Sequence, residues 1–333
     1  MSDIQPLMIA GGEFFPGQSG EVEIVAGQLP SGNKVSILAH VFRAYTPGPT
    51  VLFLAGIHGD EINGVEIVRR CLDQDIFKNL ITGTVIAVPL LNVYGFNNLS
   101  RNVHDGKDVN RSFPGTQKGS LASRIAYGLS KNILPHADLV VDFHTGGRGT
   151  YNYPQIRYNT DDARAGAAAR SFGAPLILSN RPPAKSLRRS AFKHLDLPVL
   201  TYEGGENMRY DALSIDVGIA GVKRLLQTQG MLADTPQDKL KPPVLVTASV
   251  WVRAGRAGLF QWSKKSGFPV RKGEPLGVIA DPRGKLPPKR VLCPRDGFMI
   301  GHANAAVVSQ GDALFHIGYV TPPPAEAGVA AKE

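Results

Sequence analysis

Apolar positions along the first two-thirds of the chain follow two rhythms. Short unbroken runs of aliphatic and β-branched residues recur, as in Thr50-Val-Leu-Phe-Leu-Ala55, Thr84-Val-Ile-Ala-Val-Pro89, Asp138-Leu-Val-Val-Asp-Phe143 and Leu197-Pro-Val-Leu-Thr-Tyr202. Runs of this length, bounded by Gly or Pro, predict buried strands. Between them the apolar residues fall on one helical face, as at Ile62, Val65, Ile67, Val68, Cys71 and Leu72, which predicts a helix over 61–72. Further helices are expected near 120–134, 161–172, 186–195 and 211–229, with a strand near 174–178. Residues 20–43 read as two more strands joined by a turn at Pro30-Ser-Gly-Asn33. This alternation predicts an α/β fold, with a mostly parallel or mixed sheet flanked by helices.

The rhythm changes after Asp234-Thr-Pro-Gln-Asp-Lys-Leu-Lys-Pro-Pro243, a linker by composition. Short β segments follow, and they hide a repeat: Gly258, Val270, Gly273, Leu276 and Ile279 are echoed by Gly297, Val308, Gly311, Leu314 and Ile317. Two similar units suggest a small all-β, barrel-like domain resembling the biotinyl/lipoyl carrier fold. A carrier needs a modifiable lysine in an exposed hairpin, and Lys285 and Lys289 sit in Pro-rich surroundings without that motif. The module is therefore read as structural, packing near the active site or forming a homo-oligomer contact. The expected division is 1–238 for a hydrolase domain, 239–320 for the β domain and 321–333 for a disordered tail.

Polar residues gather where the predicted strands end. His58-Gly-Asp-Glu61 follows the first run, His144 the third and Glu203 the fourth. In open α/β sheets, ligands bind at the carboxyl ends of strands. Two imidazoles and a carboxylate are the donor set of a catalytic zinc site, with a position left open for water. Glu203 offers the spare carboxylate that such a site needs as general base. Taken singly, His-x-x-Glu or a histidine after a strand is a weak pattern, more often a cap or a hydrogen-bonded core residue. Three stretches converging on one sheet edge are far more specific. A long Gly-studded loop after the second run carries Arg101, Asn110 and Arg111. Loops of that length are usually functional, and arginine suits a bidentate grip on a carboxylate.

His58-x-x-Glu61, Asp108-Val-Asn110-Arg111-Ser-Phe-Pro-Gly115, Asp142-Phe-His144 and Glu203-Gly-Gly together resemble the succinylglutamate desuccinylase/aspartoacylase family, a branch of the zinc carboxypeptidase-like superfamily. The resemblance implies a zinc carboxypeptidase-like fold and one Zn2+ per chain held by His58, Glu61 and His144. It makes Glu203 the catalytic carboxylate and Arg101 the oxyanion-stabilising arginine. It makes Asn110 and Arg111 the pair that holds a substrate carboxylate. The implied reaction is zinc-dependent hydrolysis of a small N-acyl amino acid at its amide bond. Glu206 reads as either a substrate contact or an exposed loop acid.

Composition narrows the alternatives. The net charge is +9, from 37 basic and 28 acidic residues, but the basic residues are dispersed and no nucleic-acid motif appears. A small anionic substrate is the expected partner, with neither nucleic acid nor membrane. No apolar run reaches the roughly 18 residues of a membrane span. Met1-Ser-Asp-Ile-Gln lacks the character of a signal peptide, and the two distant cysteines suggest reduced thiols, so a cytoplasmic setting is expected. Two other functions stay open on these residues: a metallocarboxypeptidase acting on peptides, and a non-catalytic metal- or ligand-binding protein.

Overall fold

The computed structural model describes residues 5–234 and 241–320. The expected domain boundary at 238/239 and the tail at 321–333 lie outside the described residues. β1 (Leu7–Ile9) and β2 (Gly12–Phe14) pair as a small separate ribbon. β3 (Ser19–Gln28) and β4 (Lys34–Arg43) form the antiparallel hairpin foreseen in 20–43, at one edge of a 13-stranded mixed sheet. Then follow β5 (Thr46–Ala55), α1 (Ile62–Asp73), β6 (Thr82–Val88), α2 (Val93–Asn97), α3 (Leu121–Asn132), β7 (Leu139–Gly146) and β8 (Thr150–Tyr158). The α/β portion closes with α4 (Ala163–Phe172), β9 (Leu176–Ser179), α5 (Leu187–Leu195), β10 (Val199–Glu206) and α6 (Ala212–Thr228).

β6, β5, β7 and β10 are parallel neighbours in that order, and β8 runs antiparallel against β10. Side chains alternate between the faces of a strand. Leu52, Leu54, Val140 and Val199 therefore pack with Leu121, Ile125, Leu187 and Ala191 of α3 and α5. Val51, Phe53, Phe143 and Tyr202 pack on the other face, with Ile67, Ala169, Phe172 and Ile215 of α1, α4 and α6. None of these helices is long and apolar enough to cross a membrane.

Two expectations shift. β7 continues through His144 to Gly146 and β10 through Glu203 to Glu206, so both residues sit inside strands rather than after them. The cause is β8, which pairs with β10 from Thr201 to Gly205 and keeps the ladder going. The second is β8 itself, which the apolar pattern does not announce. Asn152, Pro154, Gln155 and Arg157 break the hydrophobic run, and Asn152 and Arg157 line a cavity.

The C-terminal residues form β11 (Val244–Val246), β12 (Ala248–Arg253), β13 (Gly258–Trp262), β14 (Pro269–Val270), β15 (Pro275–Ala280), β16 (Lys289–Leu292), β17 (Gly297–Ala303), β18 (Val307–Val308) and β19 (Ala313–Tyr319). The sequence repeat has a structural counterpart. β14 pairs with β17 at Val270 and Gly297, and β18 pairs with β13 at Val308 and Gly258, so each half lends a short strand to the other. Leu276, Ile279, Leu314 and Ile317 meet in one core there. This region is not detached. β17 also pairs with β8, so β19 and β12 extend the main sheet, while β16, β15, β13 and β18 form a second sheet of four strands.

One close contact fixes α1 over the sheet. A Cβ added to Gly64 would lie 2.7 Å from Phe143 Cβ and 2.8 Å from its carbonyl oxygen. Gly64→Ala gains up to about 1 kcal/mol of helix propensity, but overpacking at such a contact costs roughly 1–3 kcal/mol. The substitution is expected to be net destabilising, read as a lower urea midpoint. An unchanged or higher midpoint would show that α1 can ride up without loss.

Candidate metal centre and active site

β5 ends at Ala55 and hands the chain to a tight loop carrying His58. A Cβ on Gly59 would collide with the backbone of Gly95 and Phe96, so glycine is required for the loop to lie against α2. Glu61 takes the position where a helix cap belongs. α3, α4, α5 and α6 are each capped by a Ser or Asp side chain, at Ser120, Asp162, Ser186 and Asp211. Glu61 makes no cap bond to α1. Its carboxylate turns away, toward the two histidines.

The three side chains are buried and converge. His58 Nδ1 lies 2.8 Å from Glu61 Oε1, and His144 Nδ1 lies 2.8 Å from Glu61 Oε2. The Thr145 amide donates to Glu61 Oε2 at 3.0 Å. Each imidazole turns its other nitrogen to a carboxylate: His58 Nε2 to Asp108 Oδ1 at 3.2 Å, and His144 Nε2 to Asp142 Oδ2 at 2.8 Å. Carboxylates behind ligating histidines orient the ring and raise its basicity. The inward donor atoms all lie within 4.8 Å of one another.

This arrangement fits a cation. The two Nδ1 atoms face each other at 3.1 Å, and two N–H groups cannot point at one another over that distance. Yet the surroundings demand positive charge. Burial opposes protonation of both imidazoles, but Glu61 and Asp108 outweigh it at His58, and Asp142 and Glu61 outweigh it at His144, whose pKa is raised well above the usual value. Burial likewise opposes ionisation of Glu61, and the two imidazoles reverse it, holding its pKa well below the carboxylate range. A divalent ion on the three inward donors meets that demand without a clash of protons. Two His and one Glu with a water-accessible side match a catalytic zinc site.

The centre opens into a cavity of about 570 Å³, within the range of small-ligand sites. Glu203 sits in register with His144 on the neighbouring parallel strand, so both side chains rise from one face. Its carboxylate is gripped from β8: Asn152 Nδ2 donates to Oε2 at 2.8 Å, and Arg157 Nη1 lies 3.2 Å from Oε1. Arg101 bridges the loop to the centre, donating from Nη1 to Glu61 Oε1 at 3.1 Å and from Nη2 to Asp108 Oδ2 at 3.0 Å. Asn110 Oδ1 accepts from the Leu187 amide at 2.9 Å, docking its loop on the start of α5. Arg111 lies exposed at the cavity wall, its Nη1 donating to the Asn110 carbonyl at 2.7 Å. All seven expected residues line this cavity, and His58, Glu61, His144 and Arg101 are joined in one hydrogen-bonded cluster. Glu206 lies apart, its carboxylate accepting from Asn304 Nδ2 at 2.6 Å.

Several residues escape the sequence reading. Asp142 and Asp108 stand inside its motifs without a role, although an Asp two residues before a His on a strand must share its face. Asn152 and Arg157 are polar residues within one β-strand, five positions apart across a register shift, so no simple alternation marks them together. Arg188 reads from sequence only as part of a basic pair. Trp251 reaches the cavity from β12, and nothing in its local sequence marks it.

Residues 47–229 match the succinylglutamate desuccinylase/aspartoacylase catalytic domain. The N-α-acetyl-L-2,4-diaminobutyric acid deacetylase of Halomonas elongata is 30% identical over 312 residues, covering 88% of this chain and 90% of that protein. Two solved structures are similar throughout. The ectoine utilization protein EutE (DoeB) of Ruegeria pomeroyi, in its product-bound form, superposes with a TM-score of 0.80 at 26% identity, covering 91% of this chain and 95% of that one. A succinylglutamate desuccinylase/aspartoacylase of Rhodobacter sphaeroides gives 0.79 at 29% identity, again covering 91% and 95%. With the catalytic-domain match spanning more than half of its residues, the chain belongs to the succinylglutamate desuccinylase/aspartoacylase family.

Proposed function

We propose that this protein is a zinc-dependent amidohydrolase that cleaves a small N-acyl amino acid into a carboxylic acid and a free amino acid. One observation carries the reading: three buried donors that could hold a metal converge beside an in-register carboxylate, Glu203, in one cavity. His58, Glu61 and His144 would hold the zinc, which when bound would supply Lewis acidity to the reaction. Glu203 takes the proton from the attacking water on one carboxylate oxygen and passes it to the departing amine nitrogen. Asn152 and Arg157 hold that carboxylate in place during both transfers. Arg101 donates to the carbonyl oxygen as it gains charge, a contribution of roughly 3–4 kcal/mol for one good donor. Asn110 and Arg111 bind the α-carboxylate. The deacetylase activity in the name of the Halomonas relative supports a short acyl group. The cavity volume and the Trp251 wall support a small substrate over a long peptide.

Kinetics on paired substrates test the placement. Arg111→Lys is expected to lower kcat/KM strongly for free-acid N-acyl amino acids, since an ammonium cannot reproduce the guanidinium fork. The matching amides, already poor for wild type, should suffer much less. Equal wild-type rates on acids and amides would remove Arg111 from the substrate site. Release of C-terminal amino acids from peptides, with acetyl-amino acids untouched, would favour a carboxypeptidase instead.

A further inference from the structure

The link between β7 and β8 packs beside the metal centre, and its own residues do little to fix it there. It consists of Gly147, Arg148 and Gly149, and the first two line the cavity. A Cβ added to Gly147 would lie 3.6 Å from Arg101 Nη1 and 3.9 Å from Glu61 Oε1, so this backbone sits against both groups. Two glycines leave the link loose. Arg148 holds a φ of +55°, a conformation that persists only where the surroundings impose it. Those surroundings are two asparagines from outside the link. Asn207 Oδ1 accepts from the Gly149 amide at 3.2 Å, and the Asn207 amide donates to the Gly146 carbonyl at 2.9 Å. Asn304, just past the end of β17, donates its backbone amide to the Gly149 carbonyl at 2.7 Å. Asn304 is in turn fixed at both ends of its side chain: Oδ1 accepts from Trp262 Nε1 at 2.8 Å, and Nδ2 donates to Glu206 Oε2 at 2.6 Å. Glu206 is only 8% exposed, and Arg209 Nε stands 3.9 Å from the same oxygen. The short bond to Asn304 is charge-assisted, the stronger class of hydrogen bond. It joins the C-terminal strands to the end of β10.

We propose that Asn304 is a positioning residue for the reaction: oriented by Glu206 and Trp262, it holds the link at 147–149 against Arg101 and Glu61. This rests on the deacylase reading, in which Arg101 donates to the carbonyl oxygen as charge develops there. A released link takes away the wall beside the Arg101 guanidinium, and small losses of alignment weaken the transition state more than they weaken substrate binding. The C-terminal strands thereby act on turnover through Asn304 without touching substrate at that residue. Glu206 acquires a role as the acceptor that aims Asn304.

The test exchanges the two ends of the Glu206–Asn304 bond in the full-length zinc-loaded protein. Asn304→Asp sets two carboxylates against each other. It should lower kcat about 10-fold, the scale of one charge-assisted bond, with KM within about 2-fold of wild type and zinc content unchanged. The double variant E206Q/N304D again sets a donor against an acceptor, and the second Asp oxygen still accepts from Trp262. Its kcat should return to within about 3-fold of wild type. Ile279→Val trims the core of the same C-terminal strands and serves as the structural control. It should lower the melting temperature and leave kcat unchanged where every variant is folded. Hydrogen exchange reads the link without any substrate: the Gly149 amide should exchange faster in Asn304→Asp and regain the native rate in the double variant. If Asn304→Asp does not fold, Asn304→Ala takes its place, with a several-fold loss in kcat and the same rise in exchange. An unchanged kcat, a loss that the double variant does not recover, an equal loss in Ile279→Val, or native exchange at Gly149 in the Asn304 variants overturns the positioning role and leaves the deacylase reading intact. If the wild type cleaves no N-acyl amino acid while exchange at Gly149 follows the expected order, the deacylase reading falls and the hold of Asn304 on the link stands.

Discussion

Glu203→Gln is expected to keep its metal and its melting temperature while kcat falls by about 10²–10⁴-fold, the usual range for loss of a general base. The reason is local. Glutamine is nearly isosteric, and its carbonyl oxygen still accepts from Asn152, so the ladder between β7, β10 and β8 has no cause to change. What the amide cannot do is take a proton from water. It also gives up the ion pair with Arg157, but that arginine stays half-buried beside polar neighbours and donates to Gln155 as well. Elemental analysis and steady-state kinetics on the same preparation separate the two effects. A variant that keeps zinc and turns over at near the native rate would show that Glu203 is not the base.

His144→Ala should be the more damaging change. It removes a metal donor from the middle of the centre, and metal content is expected to drop from about one ion per chain to almost none. Turnover should fall with it. The variant also strips Asp142 of its imidazole partner, and a buried acceptor left unsatisfied costs roughly 1–3 kcal/mol. His144 lies near the end of β7, past the apolar core of Val140, Val141 and Phe143, so the chain is expected to fold and to melt at a lower temperature. Circular dichroism establishes the fold and elemental analysis the metal. Full occupancy in a folded His144→Ala protein would remove His144 from the ligand set.

Much of this site was legible before any coordinates, and the reason is sheet geometry. Parallel strands announce themselves as short apolar runs, and their carboxyl ends collect the polar residues that do chemistry, so His58, Glu61, His144 and Glu203 could be placed together from spacing alone. The parts that stayed hidden are those that depend on register across strands. Asn152 reaches Glu203 because Gly205 pairs with Asn152 past a bulge, which no local pattern encodes. β8 was missed for the same cause: the residues that make it useful are polar, and they erase the hydrophobic signal. Trp251 arrives through a longer chain of pairings, from Asn152 to Gly301, from Gly301 to His316 and from His316 to Trp251, all on one face. Its ring is held flat against His316, with centroids 4.2 Å apart and an interplanar angle of 5°. The C-terminal repeat was visible as spaced Val, Gly, Leu and Ile. Its exchange of short strands, and its splice into the main sheet through β17, were not.

Reconstitution tests the central claim most directly. The protein is stripped of metal with a chelator, then titrated with zinc while hydrolysis of a small N-acyl amino acid is followed. The account predicts negligible activity at the start, a linear rise, and a plateau at about one zinc per chain, with Glu203→Gln binding the same amount of zinc and staying inactive. Full activity in the metal-free protein, or a zinc-saturated protein that cleaves no N-acyl amino acid, would contradict it.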